Sequence, residues 1–144
     1  MLSKLLVCLT GMPGAGKSTI AEGLKSKGYE IVNLGNAVRN EAKKRNLEAS
    51  RENLGKLMLE LREKNGPGAI AELVESKIQS SIANVLLIDG VRSNAEIDVL
   101  RKFGTVKLLA IHASIDTRFN FLQKRGRSDD PQTKEHFNER DNRE

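Results

Sequence analysis

The 144 residues are 38% hydrophobic and 30% charged, with a formal net charge of +5. That balance suits one compact domain, which at this length buries roughly 68–70% of its unfolded surface. The lack of a long apolar run excludes a membrane-spanning helix. With no tryptophan and one tyrosine, base-stacking platforms are scarce, so the basic excess favours small phosphorylated substrates over nucleic acid. Cys8, the single cysteine, excludes an intramolecular disulfide and fits a reducing cytoplasm as a small buried hydrophobe.

Met1 to Leu9 reads straight into a first strand and not into a targeting peptide. Leu5 to Leu9 is a continuous apolar run, the pattern of a parallel strand covered on both faces. The stretch Gly11-Met12-Pro13-Gly14-Ala15-Gly16-Lys17-Ser18-Thr19 follows. Its spacing is that of a phosphate-binding loop between a strand and a helix. A polyphosphate needs several donors converging on one concavity, and the backbone N–H groups of a glycine-rich turn supply them. The next helix adds its N-terminal N–H groups and dipole. Lys17 is placed to reach the outer phosphates and Ser18 to ligate Mg²⁺.

That helix runs from Lys17 to about Lys25, with Ile20, Ala21 and Leu24 on one face and Gly28 closing it. Tyr29 to Val32 reads as a second strand. Asn36 is the expected cap of a helix over Ala37 to Lys44. Ser50 caps the next, where Leu54, Leu57, Met58 and Leu61 recur at helical spacing until Gly66-Pro67-Gly68 breaks it. A single further helix is expected from Ala69 to Ser80, with Ile70, Leu73, Val74 and Ile78 inward.

Val85 to Ile88 is the third strand, and Ser93 with Glu96 forms a capping box for a helix to about Phe103. Val106 to Ile111 is the fourth strand, and Ser114 caps a helix to about Lys124. Asp130-Pro131 reads as N-cap and first turn of a last helix. Alternating strands and helices imply an α/β fold with a parallel sheet and helices on both faces. Core segments are expected at 1–35 and 84–124. The helices of about 36–83 form an insertion over the strand ends, where α/β sheets place ligands. A lid and following helix occupy 125–144.

Beyond the loop, Asp89 ends the third strand, the context in which P-loop proteins hold Mg²⁺ directly or through water. Alone it also fits an ordinary Asp-Gly turn. Arg92 follows in the same crevice, and a guanidinium suits bidentate phosphate binding. Lys124-Arg125-Gly126-Arg127-Ser128-Asp129-Asp130 reads as a lid that brings cations and excludes water, or as a solvated basic turn. His112 is expected to be packed or water-bonded, His136 to be exposed, and Arg51 and Arg62 to lie on a solvated helix face. There is no His/Cys cluster suited to zinc.

These motifs in this order resemble the nucleoside monophosphate kinase family, adenylate and uridylate-cytidylate kinases in particular. Gly35-Asn36-Ala37-Val38-Arg39 is similar to that family's acceptor segment, Asp89-Gly90-Val91-Arg92 to its Asp-Gly-Phe-Pro-Arg, and Gly126-Arg127-Ser128-Asp129-Asp130 to the end of its lid. The whole pattern is closer still to archaeal adenylate-kinase-related P-loop proteins labelled as predicted nucleotide kinases. The resemblance implies a three-layer α/β/α P-loop fold of strand order 2-3-1-4. Gly11 to Thr19 would bind the phosphates of ATP, and Ser18 and Asp89 would organise Mg²⁺. Arg39 and Arg92 would hold the acceptor phosphate. Lys17, Arg92, Arg125 and Arg127 would act on the transferring group, with Arg140 or Arg143 joining from the last helix.

The chain departs from the family at several places. Asn36 replaces an Asp, the Asp89–Arg92 motif is one residue short, and a single glycine separates Arg125 from Arg127. Phe121 stands where an arginine often stacks on the donor base. The chain ends inside a predicted helix, before the family's fifth strand, and is expected to be truncated. Two alternatives remain open at this stage. One is a kinase for another metabolite such as dephospho-coenzyme A. The other is an ATPase switch acting with an RNA or protein partner.

Overall fold

A computed structural model describes residues 3–127 and 130–143. Its centre is a four-stranded parallel sheet of order β2-β3-β1-β4. The strands are β1 (Lys4–Thr10), β2 (Glu30–Asn33), β3 (Val85–Asp89) and β4 (Gly104–Ala110). The first helix, α1 (Lys17–Ser26), follows β1. Between β2 and β3 lie α2 (Leu34–Lys44), α3 (Arg51–Asn65), α4 (Ala69–Glu72) and α5 (Glu75–Ser80). The remaining helices are α6 (Asn94–Leu100), α7 (Ile115–Arg125) and α8 (Lys134–Asp141). Parallel strands need long crossovers, which is why a helix or a group of helices stands between each pair.

β1, apolar from Leu5 to Leu9, is central and pairs on both sides, Cys8 opposite Ile88 of β3 and opposite Leu108 of β4. Leu6 and Cys8 share one face with Val32, Leu86 and Ile88. These join a buried cluster with Val38, Leu57, Leu61, Ile70 and Ile78 from the helices that follow β2. Leu9 and Leu87, on the opposite face by strand alternation, are also buried. Cys8 is fully buried, and burial pushes its thiol up to about 11, so it is a core residue and not a nucleophile.

Four expectations are corrected. First, α2 begins at Leu34, with Asn33 as its cap and not Asn36: Asn33 Oδ1 accepts from the Asn36 backbone N–H at 2.8 Å. Strand passes directly into helix here because Leu34 is 1% exposed and starts the helix by entering the core.

Second, the expected Ala69–Ser80 helix is split into α4 and α5 at Leu73–Val74. A tight turn with Val74 N–H donating to the Ala71 carbonyl at 3.2 Å keeps both Val74 and Ile78 buried. Third, Thr133 caps α8, its hydroxyl accepting from the His136 N–H, and Asp130 is turned inward. Fourth, β4 spans Gly104–Ala110 where Val106 to Ile111 was expected, an edge strand with Leu108 and Leu109 about half exposed.

The Ser50, Ser93 and Ser114 caps stand as expected. Among the described residues the sheet has four strands, and no helix is long and apolar enough to cross a membrane.

Candidate functional site

All of β1, β2 and β3 end at one rim, where the connection from β1 to α1 forms a glycine-rich loop. Gly11 has φ +151, and a Cβ there would sit 2.3 Å from the Ile111 carbonyl oxygen. Gly14 has φ +79, and a Cβ there would sit 2.5 Å from the Arg118 carbonyl oxygen. The loop is therefore pressed against the end of β4 and against α7, and a side chain at either position displaces backbone. No side chain caps α1, whose cap residue is Gly16. Its first N–H groups therefore point into the loop's concavity, the arrangement that receives anions. Lys17 Nζ donates to the Gly11 carbonyl at 2.5 Å and to the Met12 carbonyl at 3.0 Å, so its arm is folded over the loop it would serve.

Asp89 stands across from the loop at the end of β3. It is 6% exposed. Its Oδ2 accepts from Asn33 Nδ2 at 2.9 Å, while Asn33 Oδ1 caps α2. One amide thus fixes the carboxylate and the helix start together. Asp89 Oδ1 is buried and, among the described residues, has no hydrogen-bond partner. A buried carboxylate oxygen left without a donor is costly, and a hydrated divalent cation would satisfy it. Ser18 lines the same cleft. A hydroxyl, a carboxylate and phosphate oxygens are the hard donors that Mg²⁺ takes, so these residues fit the ion. Among the described residues no cluster of three or more His, Cys, Asp or Glu side chains offers another metal site.

The loop and Asp89 border a cleft of about 780 Å³ that Arg39, Arg92, Arg125, Arg127 and Arg140 also line. The candidate residues Gly11 to Thr19, Arg39, Asp89, Arg92, Arg125 and Arg127 are thus brought together. Arg39 is held by Asn36, NH1 to Oδ1 at 3.0 Å. The backbone N–H of Arg92 donates to Glu96 Oε2 at 2.7 Å, and Arg62 of α3 reaches the same buried carboxylate at 3.8 Å. Arg62 therefore braces α6, in place of the solvated position expected for it. Arg51 and His136 are exposed, and so is His112, the water-facing of the two positions expected for it. Of the two C-terminal arginines, Arg140 lines the cleft, whereas Arg143 donates to the Glu139 carbonyl.

Asp130 organises the lid side. Its side chain is fully buried. It accepts from Arg125 in a two-pronged pair and from the Arg127 backbone N–H at 3.0 Å, and Arg140 lies 3.5 Å away. Burial pushes its carboxyl up, but the hydrogen bonds from Arg125 and Arg127, with the charges of Arg125 and Arg140, outweigh it and hold it below the usual range. The expected lid motif falls partly on Ser128 and Asp129, which lie outside the described residues.

The sequence reading passed over Arg118. It is 5% exposed and binds both oxygens of Asp141 on α8, at 2.5 and 2.9 Å. It also donates to the carbonyls of Ala113 and Pro13 and stacks on Phe137, 5.3 Å from the ring centroid. Because Pro13 belongs to the phosphate loop, α8 is coupled to the loop through one guanidinium. The only signal in the sequence is that Arg118 shares an α7 face with the apolar Leu122.

The Arg118 hydrogen bond holds the Asp141 carboxyl below its ordinary range. A depressed carboxylate contributes stability that is complete above the unfolded value near 4 and is lost as pH falls through the folded value. Asp141→Asn is therefore expected to destabilise the protein by about 2 kcal/mol at neutral pH, since the buried guanidinium loses a charged partner. The difference should begin to shrink near pH 4 and close only once pH lies below the depressed folded value. Thermal melts of both proteins across pH check this; a gap that stays constant to pH 2 contradicts it.

A phosphate loop at the first strand-to-helix turn, a parallel 2-3-1-4 sheet and an aspartate closing β3 define a P-loop NTPase domain of the kinase-like kind. Residues 10–138 match the family model described as AAA domain. A UPF0200 protein of Hyperthermus butylicus is 42% identical over 138 residues, 96% of this chain and 74% of that protein. The UPF0200 protein MJ1399 of Methanocaldococcus jannaschii is 44% identical over 142 residues, 97% of this chain and 72% of that protein. The chain belongs to the AAA-domain family of P-loop proteins and to the UPF0200 family. The crystal structure of TT1252 from Thermus thermophilus shares the fold, with a TM-score of 0.73 at 17% identity over 99% of this chain and 81% of that one.

Proposed function

We propose that this protein is a phosphotransferase that moves the γ-phosphoryl group of ATP to a small phosphorylated acceptor, a nucleoside monophosphate in the first instance. The observation that carries the reading is one cleft lined by two sets of groups suited to phosphate. The loop and α1 N-terminus form the first set. Arg39 of α2 and Arg92, just after β3, form the second on the facing wall.

In this reading Gly11 to Thr19 receive the donor's phosphates, and Lys17 swings from its loop carbonyls onto the outer phosphate. Ser18 and Asp89 hold Mg²⁺, which neutralises charge on the β- and γ-phosphates when bound. Arg39 and Arg92 grip the acceptor phosphate, and Arg125 and Arg127 close over the group in flight. The acceptor oxygen is already ionised, so no general base is required. Rate enhancement comes from positioning and from fixed positive charge in a site that excludes water. A cytoplasmic setting supplies the nucleotide and keeps Cys8 reduced.

The test is a coupled assay of ATP turnover with Mg²⁺ against a panel of nucleoside monophosphates and dephospho-coenzyme A. The expected result is ADP release that rises at least tenfold with one acceptor over water. Turnover that no acceptor raises, but that an RNA or protein extract stimulates, favours the ATPase switch instead.

A further inference from the structure

A second cavity of about 1310 Å³ opens off the first one. The two share Ser18, Asn33, Arg39, Asp89 and Arg127, so the second begins where a phosphoryl group would be transferred. It runs away from the loop along α1 on one wall and α2 on the other, over the outer edge of β2, with α5 closing the end. Typical small-ligand pockets span about 300–1,000 Å³, so this one has room for more than a compact acceptor.

The walls change character with distance from the loop. On α1 the lining residues are Ser18, Ala21, Glu22 and Lys25, one helical stripe. At 1.5 Å per residue, Lys25 stands about 10 Å beyond Ser18. On α2, Arg39 lies near the mouth and Lys43 one turn further on, about 6 Å away. Lys44 and, from α5, Lys77 join at the far end. All four lysines are exposed, and none makes a side-chain hydrogen bond or ion pair among the described residues.

The acidic residues of the same walls offset these charges only in part. Glu41 is bound by Arg45 at 2.8 Å, and Glu30 accepts from the Ser81 hydroxyl at 2.7 Å. Glu22 and Glu30 oppose the lysines, since the neutral Ser81 hydroxyl leaves the Glu30 carboxylate charged, and four ammonium groups against these two carboxylates keep the far end net positive. Tyr29, the single tyrosine, lines the groove beside them and is 44% exposed. The trough therefore ends in a cationic bowl with an aromatic edge, which begins at Lys43, about 6 Å beyond Arg39, and reaches Lys25, about 10 Å beyond Ser18.

We propose that this trough seats an elongated acceptor bearing two anionic groups. The reacting phosphate lies at Arg39, and a second phosphate or carboxylate lies among Lys25, Lys43, Lys44 and Lys77. Compact ammonium groups on flexible stems suit an anion whose exact position varies with the rest of the ligand. This inference rests on the phosphotransferase reading and specifies its acceptor.

The probes are AMP and adenosine 3′,5′-bisphosphate, titrated by calorimetry with the phosphate loop filled by a non-hydrolysable ATP analogue and Mg²⁺. The bisphosphate is expected to bind at least tenfold tighter than AMP. A Lys25→Gln, Lys43→Gln, Lys44→Gln, Lys77→Gln variant should lose that advantage and keep its AMP affinity and melting temperature. Arg39→Ala should weaken both probes alike. Equal binding of the two probes to the unmodified protein, or an advantage that survives in the lysine variant, overturns the proposal. If the ATP analogue binds but neither probe does, the phosphorylated-acceptor reading itself fails.

Discussion

Lys17→Ala is expected to lower kcat/KM for ATP about a thousandfold, or ~4 kcal/mol of transition-state stabilisation. The backbone donors of the loop remain in the variant, so binding of the nucleotide is weakened less than turnover. What is lost is a mobile positive charge. Lys17 Nζ rests 2.5 Å from the Gly11 carbonyl and 3.0 Å from the Met12 carbonyl, at the lip of the anion site. A short swing moves it from those neutral acceptors to a phosphate whose negative charge grows as the bond to the leaving oxygen breaks. Lys17→Arg should recover little, because a planar fork cannot take the place of a compact ammonium. Steady-state turnover with whichever acceptor the panel identifies checks this. A variant that keeps a tenth of the original kcat/KM means that the donor sits elsewhere.

Asp130→Ala is expected to destabilise the protein by about 3–5 kcal/mol and to reduce turnover as well. Its carboxylate is the common counter-charge of Arg125 and Arg140, whose side chains are 29% and 16% exposed. Removing it takes away a buried anion that both guanidinium groups share. It also frees the Arg127 N–H, which loosens the start of the lid. Asp130→Asn can still accept from these donors and should fall between the two. Urea denaturation of both variants measures the first effect and kcat the second. Losses under 0.5 kcal/mol in both would mean that the carboxylate is a solvated lid residue.

Much of the phosphate-loop geometry can be read from consecutive residues. Gly11 to Thr19 form their own site because loop, lysine and helix start are contiguous. The strand–helix alternation, the serine caps and the break at Gly66-Pro67-Gly68 are equally local, and the structure reproduces them. Local rules misread Asn36 and Asp130. In both, a residue with good capping chemistry was available, but a longer-range contact decided its use. Asn33 caps α2 because the same amide also anchors Asp89, 56 positions away. Asp130 leaves the capping role to Thr133 because two guanidinium groups hold a carboxylate better than one helix N-terminus does.

The sequence by itself determined that this chain folds around a parallel sheet and offers a strand-to-helix turn with the pattern of a phosphate-binding loop. Both follow from the period of apolar residues and from the conformational freedom of a few glycines, properties carried within a dozen neighbouring positions. The tertiary structure alone decided which arginines share the cleft and which brace the scaffold. Arg39, Arg92, Arg125, Arg127 and Arg140 converge, whereas Arg118 and Arg62 spend their charge on Asp141 and Glu96. It also decided that a second, lysine-walled cavity adjoins the first. A guanidinium's role is set by what lies within a few ångströms of it, and for these side chains the partners come from elements brought together only when the sheet closes.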